Sequence, residues 1–238
     1  MKFKILTGLV TGLVVSTTTS IFFCQPSRAG NDRFFSNVAQ IDNSDLAAGE
    51  KAEDLFNQGG EKYQKGDLKG ALEALNQAIK LNPNYVEAYY NRGIIRYRLQ
   101  DNKGAIADFT EVLRINPNSF QAYVNRGNAR DDSGDSQGAL ADYNEAVRIN
   151  PADSKAYYNR GVTRSRVGDN ESAIADFNEA VRINPNYALA YANRGNIRAQ
   201  LGDKEAAIQD FQKAAELFQK QGDKDSYQKA IDTLRKLQ

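Results

Sequence analysis

The sequence predicts an all-α protein, a right-handed α-solenoid of stacked antiparallel helix pairs. Three observations carry that prediction. First, the block Tyr-x-Asn-Arg-Gly-x-x-Arg occurs four times, with its glycines at Gly93, Gly127, Gly161 and Gly195, a constant spacing of 34 residues. A weaker fifth copy, Asn57-Gln58-Gly59, lies one period upstream. Second, apolar residues inside each block recur at three- and four-residue spacing, the period of one helix face. Third, each block breaks once in the middle and ends in Asn-Pro, except the last. A fixed period of this size denotes small units piled on one another, not a globule with one core.

Composition narrows the function. The 238 residues are 41% hydrophobic and 26% charged, as expected of ordered structure in water. The net charge of +1 offers no broad field for nucleic acid or an anionic membrane. There is no His, which excludes a His general base, a Ser-His-Asp arrangement and a His metal site. The single Cys, Cys24, cannot make an internal disulfide or a Cys-rich zinc site. No cofactor is expected.

Residues 1–29 read as a signal peptide. Lys2 and Lys4 precede an uncharged stretch from Ile5 to Cys24, and Ser27 and Ala29 supply small residues before a cleavage point at Gly30. The alternative is a membrane anchor over residues 5–23, although Gly8, Gly12 and Thr17-Thr18-Thr19 dilute the apolar run. Phe23 before Cys24 disfavours a lipoprotein site. Cleavage would leave 28 basic and 30 acidic residues, a net charge of −2, and no cysteine. Export to a periplasm, thylakoid lumen or extracellular space is therefore expected, with anchoring as the alternative. Residues 30–43 read as a flexible linker or as a short docking segment built on Phe34-Phe35.

Residues 44–221 hold five helix pairs. In the second unit Tyr89, Gly93, Ile94 and Tyr97 mark the first helix, Gln100-Asp101-Asn102 breaks it, and Ala105, Ile106, Phe109, Val112 and Leu113 mark the second. Elsewhere the break is Gly66-Asp67, Gly134-Asp135, Gly168-Asp169 or Gly202-Asp203. Glycine there closes the first helix in the left-handed region, and Asp caps the second. Asn-Pro ends the second helix, because the residue before proline avoids helical geometry. Glycine inside a helix costs about 1 kcal/mol relative to Ala, so Gly59, Gly93, Gly127, Gly161 and Gly195 imply close contact. The expected partners are Ala71, Ala105, Ala139, Ala173 and Ala207, with Leu75, Phe109, Tyr143, Phe177 and Phe211 filling wider gaps. Residues 222–238 supply a capping helix, with Tyr227, Ala230, Ile231, Leu234 and Leu237 at helical spacing.

The arginines recur four apart: Arg92/Arg96, Arg126/Arg130, Arg160/Arg164 and Arg194/Arg198. They either pair with Asp108, Asp142, Asp176 and Asp210 as an interhelical ladder or form a basic stripe for an acidic ligand. The recurrence of the Asp with the Arg favours the ladder. The first unit has Gln58, Lys62 and Ala74 instead, so a ladder begins with the second.

From Ala52 to about Gln221 this pattern resembles the tetratricopeptide repeat. The Gly, the Ala, the aromatic, a small residue (Ala78, Val112, Ala146, Ala180, Ala214) and the Pro (Pro83, Pro117, Pro151, Pro185) fall in the family's register. The departures are Tyr or Leu where the family has Trp, Arg before the Gly, and Gln219 in place of the last Pro. The pattern also resembles repeats of cyanobacterial exported or thylakoid-associated proteins. The resemblance implies a concave groove lined by the first helices, and no catalysis. In it Asn57, Asn91, Asn125, Asn159 and Asn193 resemble an asparagine ladder that holds the backbone of a peptide. An amide side chain can do so because it both donates and accepts. The competing reading is that each Asn bonds only to a neighbouring helix. Tyr90, Tyr158, Asn128 and Asn196 join the ladder as candidate peptide contacts, and Asp131 and Asp132 add local negative charge. The Lys/Arg clamp that some family members use on carboxylate tails looks absent.

The expected function is thus a non-enzymatic module that binds a peptide or helical segment of a protein partner, as scaffold or assembly factor. It would bind neither nucleic acid nor a small molecule, and it would meet a membrane only through an uncleaved N-terminus. The alternatives are a permanent structural subunit of a membrane-associated complex and, far behind, a carboxylate-based enzyme.

Overall fold

The computed structural model describes residues 43–237, with side-chain environments from residue 48. The signal peptide, Cys24, the Phe34-Phe35 pair and residues 30–42 lie outside the described residues. Asn43, assigned to the linker, is the first residue of a helix. Within the described residues every element is α-helical, and no helix is long and apolar enough to cross a membrane.

The helices form five antiparallel pairs and one single helix. The pairs are α1 (Asn43–Gln64) with α2 (Leu68–Leu81), α3 (Val86–Arg98) with α4 (Asn102–Ile115), and α5 (Phe120–Asp132) with α6 (Ser136–Ile149). Then come α7 (Ser154–Arg166) with α8 (Asn170–Ile183), α9 (Ala188–Gln200) with α10 (Lys204–Gln221), and α11 (Lys224–Leu237) alone. Each second helix also contacts the first helix of the next pair. Successive first helices touch as well, α3 with α5, α5 with α7 and α7 with α9.

Local chemistry sets the boundaries. Asp67, Asp101, Asp135, Asp169 and Asp203 each accept a hydrogen bond from the backbone N–H three residues on, at 2.8–3.2 Å. That satisfies a donor that the helix start leaves orphaned. Gly66, Gly134, Gly168 and Gly202 stand before these caps at φ of 83–88°. In the second unit Gln100 takes the same place at φ 63°, where its Cβ crowds the backbone. At the other end Asn82, Asn116, Asn150 and Asn184 leave the helix at φ near −127° (−126 to −128°), as a following proline demands. Without that proline α10 runs 18 residues, against 14 for the other second helices, and stops at Gly222 (φ 74°).

The core is a column of small and large residues. Ala71, Ala105, Ala139, Ala173 and Ala207 are all fully buried. Leu75, Phe109, Tyr143, Phe177 and Phe211 lie between the two helices of their own pairs and are also buried. The helix-interior glycines serve those large side chains rather than the alanines, contrary to the expectation. A Cβ on Gly93, Gly127 or Gly161 would fall 2.8, 2.7 or 2.9 Å from the ring of Phe109, Tyr143 or Phe177. Each glycine is the seat of a ring. At the C-terminal end α11 lays Tyr227, Ala230, Ile231, Leu234 and Leu237 against Ala214, Ala215, Leu217 and Phe218 of α10.

The arginines form the ladder. In the second unit Arg92 holds Asp108 with Nη2 at 2.6 Å and Nε at 3.0 Å, and Arg96 Nη1 holds it at 2.9 Å. The arrangement repeats at Asp142, Asp176 and Asp210. These four Asp side chains are buried, and their arginines are only 11–26% exposed. The first arginine also reaches back into the preceding pair. Nη1 of Arg92, Arg126, Arg160 and Arg194 donates to Asn76, Thr110, Asn144 and Asn178 at 2.7–3.1 Å. One guanidinium thus ties its own second helix to the one before it. The basic stripe of the alternative reading is consumed inside the structure.

Three variants test this packing. Asp142→Ala strands Arg126 and Arg130 without their carboxylate and should cost about 3 kcal/mol; unchanged urea unfolding would contradict the ladder. Gly127→Ala should destabilise by about 1–3 kcal/mol through the Tyr143 ring, and Gly195→Ala by less, since its nearest contact is 3.1 Å. Gln100→Gly should raise stability by roughly 0.5–1 kcal/mol by removing the left-handed strain, which thermal unfolding would register.

Candidate functional site

The candidate residues lie on consecutive first helices: Tyr90 and Asn91 on α3, Asn125 and Asn128 on α5, Tyr158 and Asn159 on α7, Asn193 and Asn196 on α9. Because those helices touch, the amides approach one another across units. Asn125 Nδ2 donates to the Tyr90 hydroxyl at 2.8 Å, and Asn193 Nδ2 donates to the Tyr158 hydroxyl at 3.0 Å. Asn159 Nδ2 donates to Asn128 Oδ1 at 2.9 Å, and that oxygen also accepts from the Tyr143 hydroxyl at 2.8 Å. An amide row does converge on the first-helix side, but it is partly closed on itself. One N–H of each of Asn125, Asn159 and Asn193 is occupied. Their remaining N–H and their side-chain oxygens make no hydrogen bond among the described residues.

Asn91 and Asn196 differ. The residue 35 before Asn91 is Phe56, which has no hydroxyl, and the Asn91 side chain makes no hydrogen bond among the described residues. Asn196 is exposed and likewise unbonded. The rings of Tyr90 and Tyr158 are part of the core rather than free contacts. Tyr90 lies edge-on to Phe109 at 5.8 Å, and Tyr158 stacks on Tyr187 at 4.7 Å. Their hydroxyls alone reach the amide row.

At the centre of this side lies a hollow of about 260 Å³ between α3, α5 and α7. Tyr97, Asn128, Asp131, Asp132, Tyr143, Tyr158, Asn159, Val162 and Arg166 line it. The Tyr97 hydroxyl donates to Asp132 Oδ2 at 2.5 Å. Arg166 Nη1 stands 2.6 Å from Asp131 Oδ1 as an ion pair, at an angle that makes no hydrogen bond, so Oδ1 has no donor. Burial pushes the Tyr97 phenol up, reinforced by its bond to Asp132 and the charges of Asp132 and Asp131. Burial does the same to Tyr143, with Asp131 adding to it. The neutral phenol is therefore the form the fold favours.

Sequence reasoning located Tyr97, Asp131 and Asp132 near the groove but missed Arg166 and the pairing rule that brings them together. Four cross-unit pairs on this side sit 35 residues apart, Tyr90 with Asn125, Tyr97 with Asp132, Tyr158 with Asn193, and Asp131 with Arg166, whereas Asn128 and Asn159 are 31 apart. The rule is one period plus one residue. It was visible only as a pattern of complementary polar residues at that offset.

Two predictions follow from these bonds. Asn128→Ala leaves the buried Tyr143 hydroxyl without an acceptor and cuts the Asn159 link, at a cost of about 1–3 kcal/mol, whereas Asn91→Ala should stay within about 0.5 kcal/mol; equal urea midpoints would contradict this. Stability should be unaffected by these phenols below about pH 10, their unfolded value, and should fall as pH rises beyond it towards their higher folded values. Tyrosinate absorbance and helical dichroism recorded together would check this, since Tyr97 and Tyr143 should ionise only as helix is lost.

The comparisons agree with this geometry. Family models described as TPR repeat match residues 59–100, 127–168 and 166–202, and one described as tetratricopeptide repeat matches residues 86–119 and 188–221. No curated protein matches the chain. Among solved structures, MamA protein is 26% identical, with 74% of this chain and 97% of that one covered at a TM-score of 0.68. MamA 41-end from Desulfovibrio magneticus RS-1 is 27% identical, with 73% and 98% covered at a TM-score of 0.69. YrrB, described as a TPR protein with an unusual peptide-binding site, is 23% identical, with 80% and 98% covered at a TM-score of 0.64, and shows the shared fold. Matched over most of residues 59–221 and built of the same stacked helix pairs, the chain belongs to the tetratricopeptide repeat family.

Proposed function

We propose that this chain binds a peptide or helical segment of a protein partner along its first-helix side, as a scaffold or assembly factor. Tetratricopeptide repeats are protein-interaction modules. The observation that carries the reading is the row of half-buried amides from Asn91 to Asn193. Asn125, Asn159 and Asn193 keep spare donor and acceptor capacity while a neighbour fixes each of them, and Asn91 is unbonded, on a side that also presents Ile94 and Val162. A peptide group offers the complementary donor and acceptor irrespective of sequence, and preorganised amides pay little entropy on binding it. The arginines offer no competing site, because their carboxylates hold them.

We also propose that residues 1–29 direct export and are removed before Gly30, which explains a basic, then apolar, then small-residue start. Mass spectrometry of the exported protein should return Gly30 as its N-terminus; an intact Met1 in a membrane fraction would support the anchor instead.

Binding is tested by selecting short peptides on the immobilised full chain and measuring their affinity by fluorescence anisotropy. Asn91→Ala with Asn196→Ala removes two amides that bond nothing in the fold, so dichroism should not change while affinity falls by about tenfold, the worth of one or two hydrogen bonds. Retained affinity in that variant would move the binding site elsewhere.

A further inference from the structure

The hollow breaks the period of the stack. The places of Asp131 and Asp132 are taken by Tyr97 and Arg98 one unit earlier, by Ser165 and Arg166 one unit later, and by Ala199 and Gln200 in the last unit. An adjacent acid pair at this place therefore occurs once among these units. The repeat architecture does not require it, since the other units close without it. Resting on the binding reading above, we propose that this hollow receives the cationic side chain of a Lys or Arg carried by the bound segment.

Four features select that occupant. Charge comes first: two carboxylates face one guanidinium, a net of −1. Second, the Asp131 side chain is nine-tenths buried, and its Oδ1 receives no hydrogen bond. An incoming cationic N–H would give that oxygen the directed, charge-assisted bond that the off-angle Arg166 contact does not. Arg166 is half exposed and can turn outward to admit it, whereas each ladder arginine is bonded to a buried carboxylate. Third, the walls are the rings of Tyr97 and Tyr158 with Val162, a surface for the methylene stem of a long basic side chain beneath its charged head. Fourth, size: about 260 Å³ is below the ~300–1,000 Å³ usual for small-molecule sites but fits one side chain.

The test uses the peptides selected on the full chain, resynthesised with blocked N-termini and with each Lys or Arg replaced in turn by norleucine. One shared basic position should recur among them. Its replacement should weaken binding by about tenfold or more, the effect of losing a buried charge-assisted bond. In the Asp131→Asn, Asp132→Asn protein, checked for native dichroism, the basic peptide and its norleucine form should bind alike. Where that double variant does not fold, Asp132→Asn alone carries the comparison, because Asp132 is exposed. Peptides that bind without a basic residue, or a norleucine penalty equal in wild type and variant, would overturn the pocket and leave the binding reading intact. Failure to select any peptide would overturn both.

Discussion

A carboxylate shared by two guanidinium groups is the constraint on which the rest of this stack depends. Each of Asp108, Asp142, Asp176 and Asp210 is buried, and a buried charge persists only when paired and hydrogen-bonded. Its two arginines come from one face of the first helix, so the carboxylate fixes both the distance and the rotation of that helix against its partner. The third arm of the first arginine then reaches the preceding second helix. The same group therefore sets geometry within a unit and between units. The planar guanidinium is also covered by an aromatic ring, since Arg92, Arg126, Arg160 and Arg194 lie 5.2–5.6 Å from the centroids of Tyr89, Tyr123, Tyr157 and Tyr191.

This internal use of positive charge determines what the first-helix side can do. With the ladder arginines neutralised in place, the first-helix side presents amides, hydroxyls and a few aliphatic groups, and α5 adds the acid pair Asp131 and Asp132. On the function proposed above, such a surface would meet a polypeptide partner. It is also a stiff surface, because cross-unit hydrogen bonds pin the amides before any ligand arrives. The ordering cost that a flexible groove would meet on binding is largely met during folding.

Much of the architecture was legible because local rules act within a few residues. Gly66-Asp67 and its counterparts announced both the left-handed residue and the cap, and the caps are where those residues stand. Asn-Pro announced the end of each second helix, and its absence after Gln219 accounts for the longer α10. The glycines at Gly93, Gly127 and Gly161 were legible as sites of close approach but not as seats for rings. Periodicity alone does not say which of two buried columns, alanine or aromatic, a given glycine meets. The amide row was legible as a row. That Asn125, Asn159 and Asn193 spend one donor on a neighbouring helix was not, because the bond joins residues 31 or 35 apart, on different helices.

By itself the sequence determined the period, the helix boundaries, the pairing of arginine with aspartate and the small-and-large column of the core. These follow from interactions that repeat in every unit, so each copy repeats the message. Only the tertiary structure decided how far one unit is offset from the next. That offset, one residue beyond the period, brings Tyr97 to Asp132 and Asp131 to Arg166, and it shapes the hollow between α3, α5 and α7. Relative offset depends on how whole helices seat against one another, a balance of many contacts that no local stretch of residues encodes.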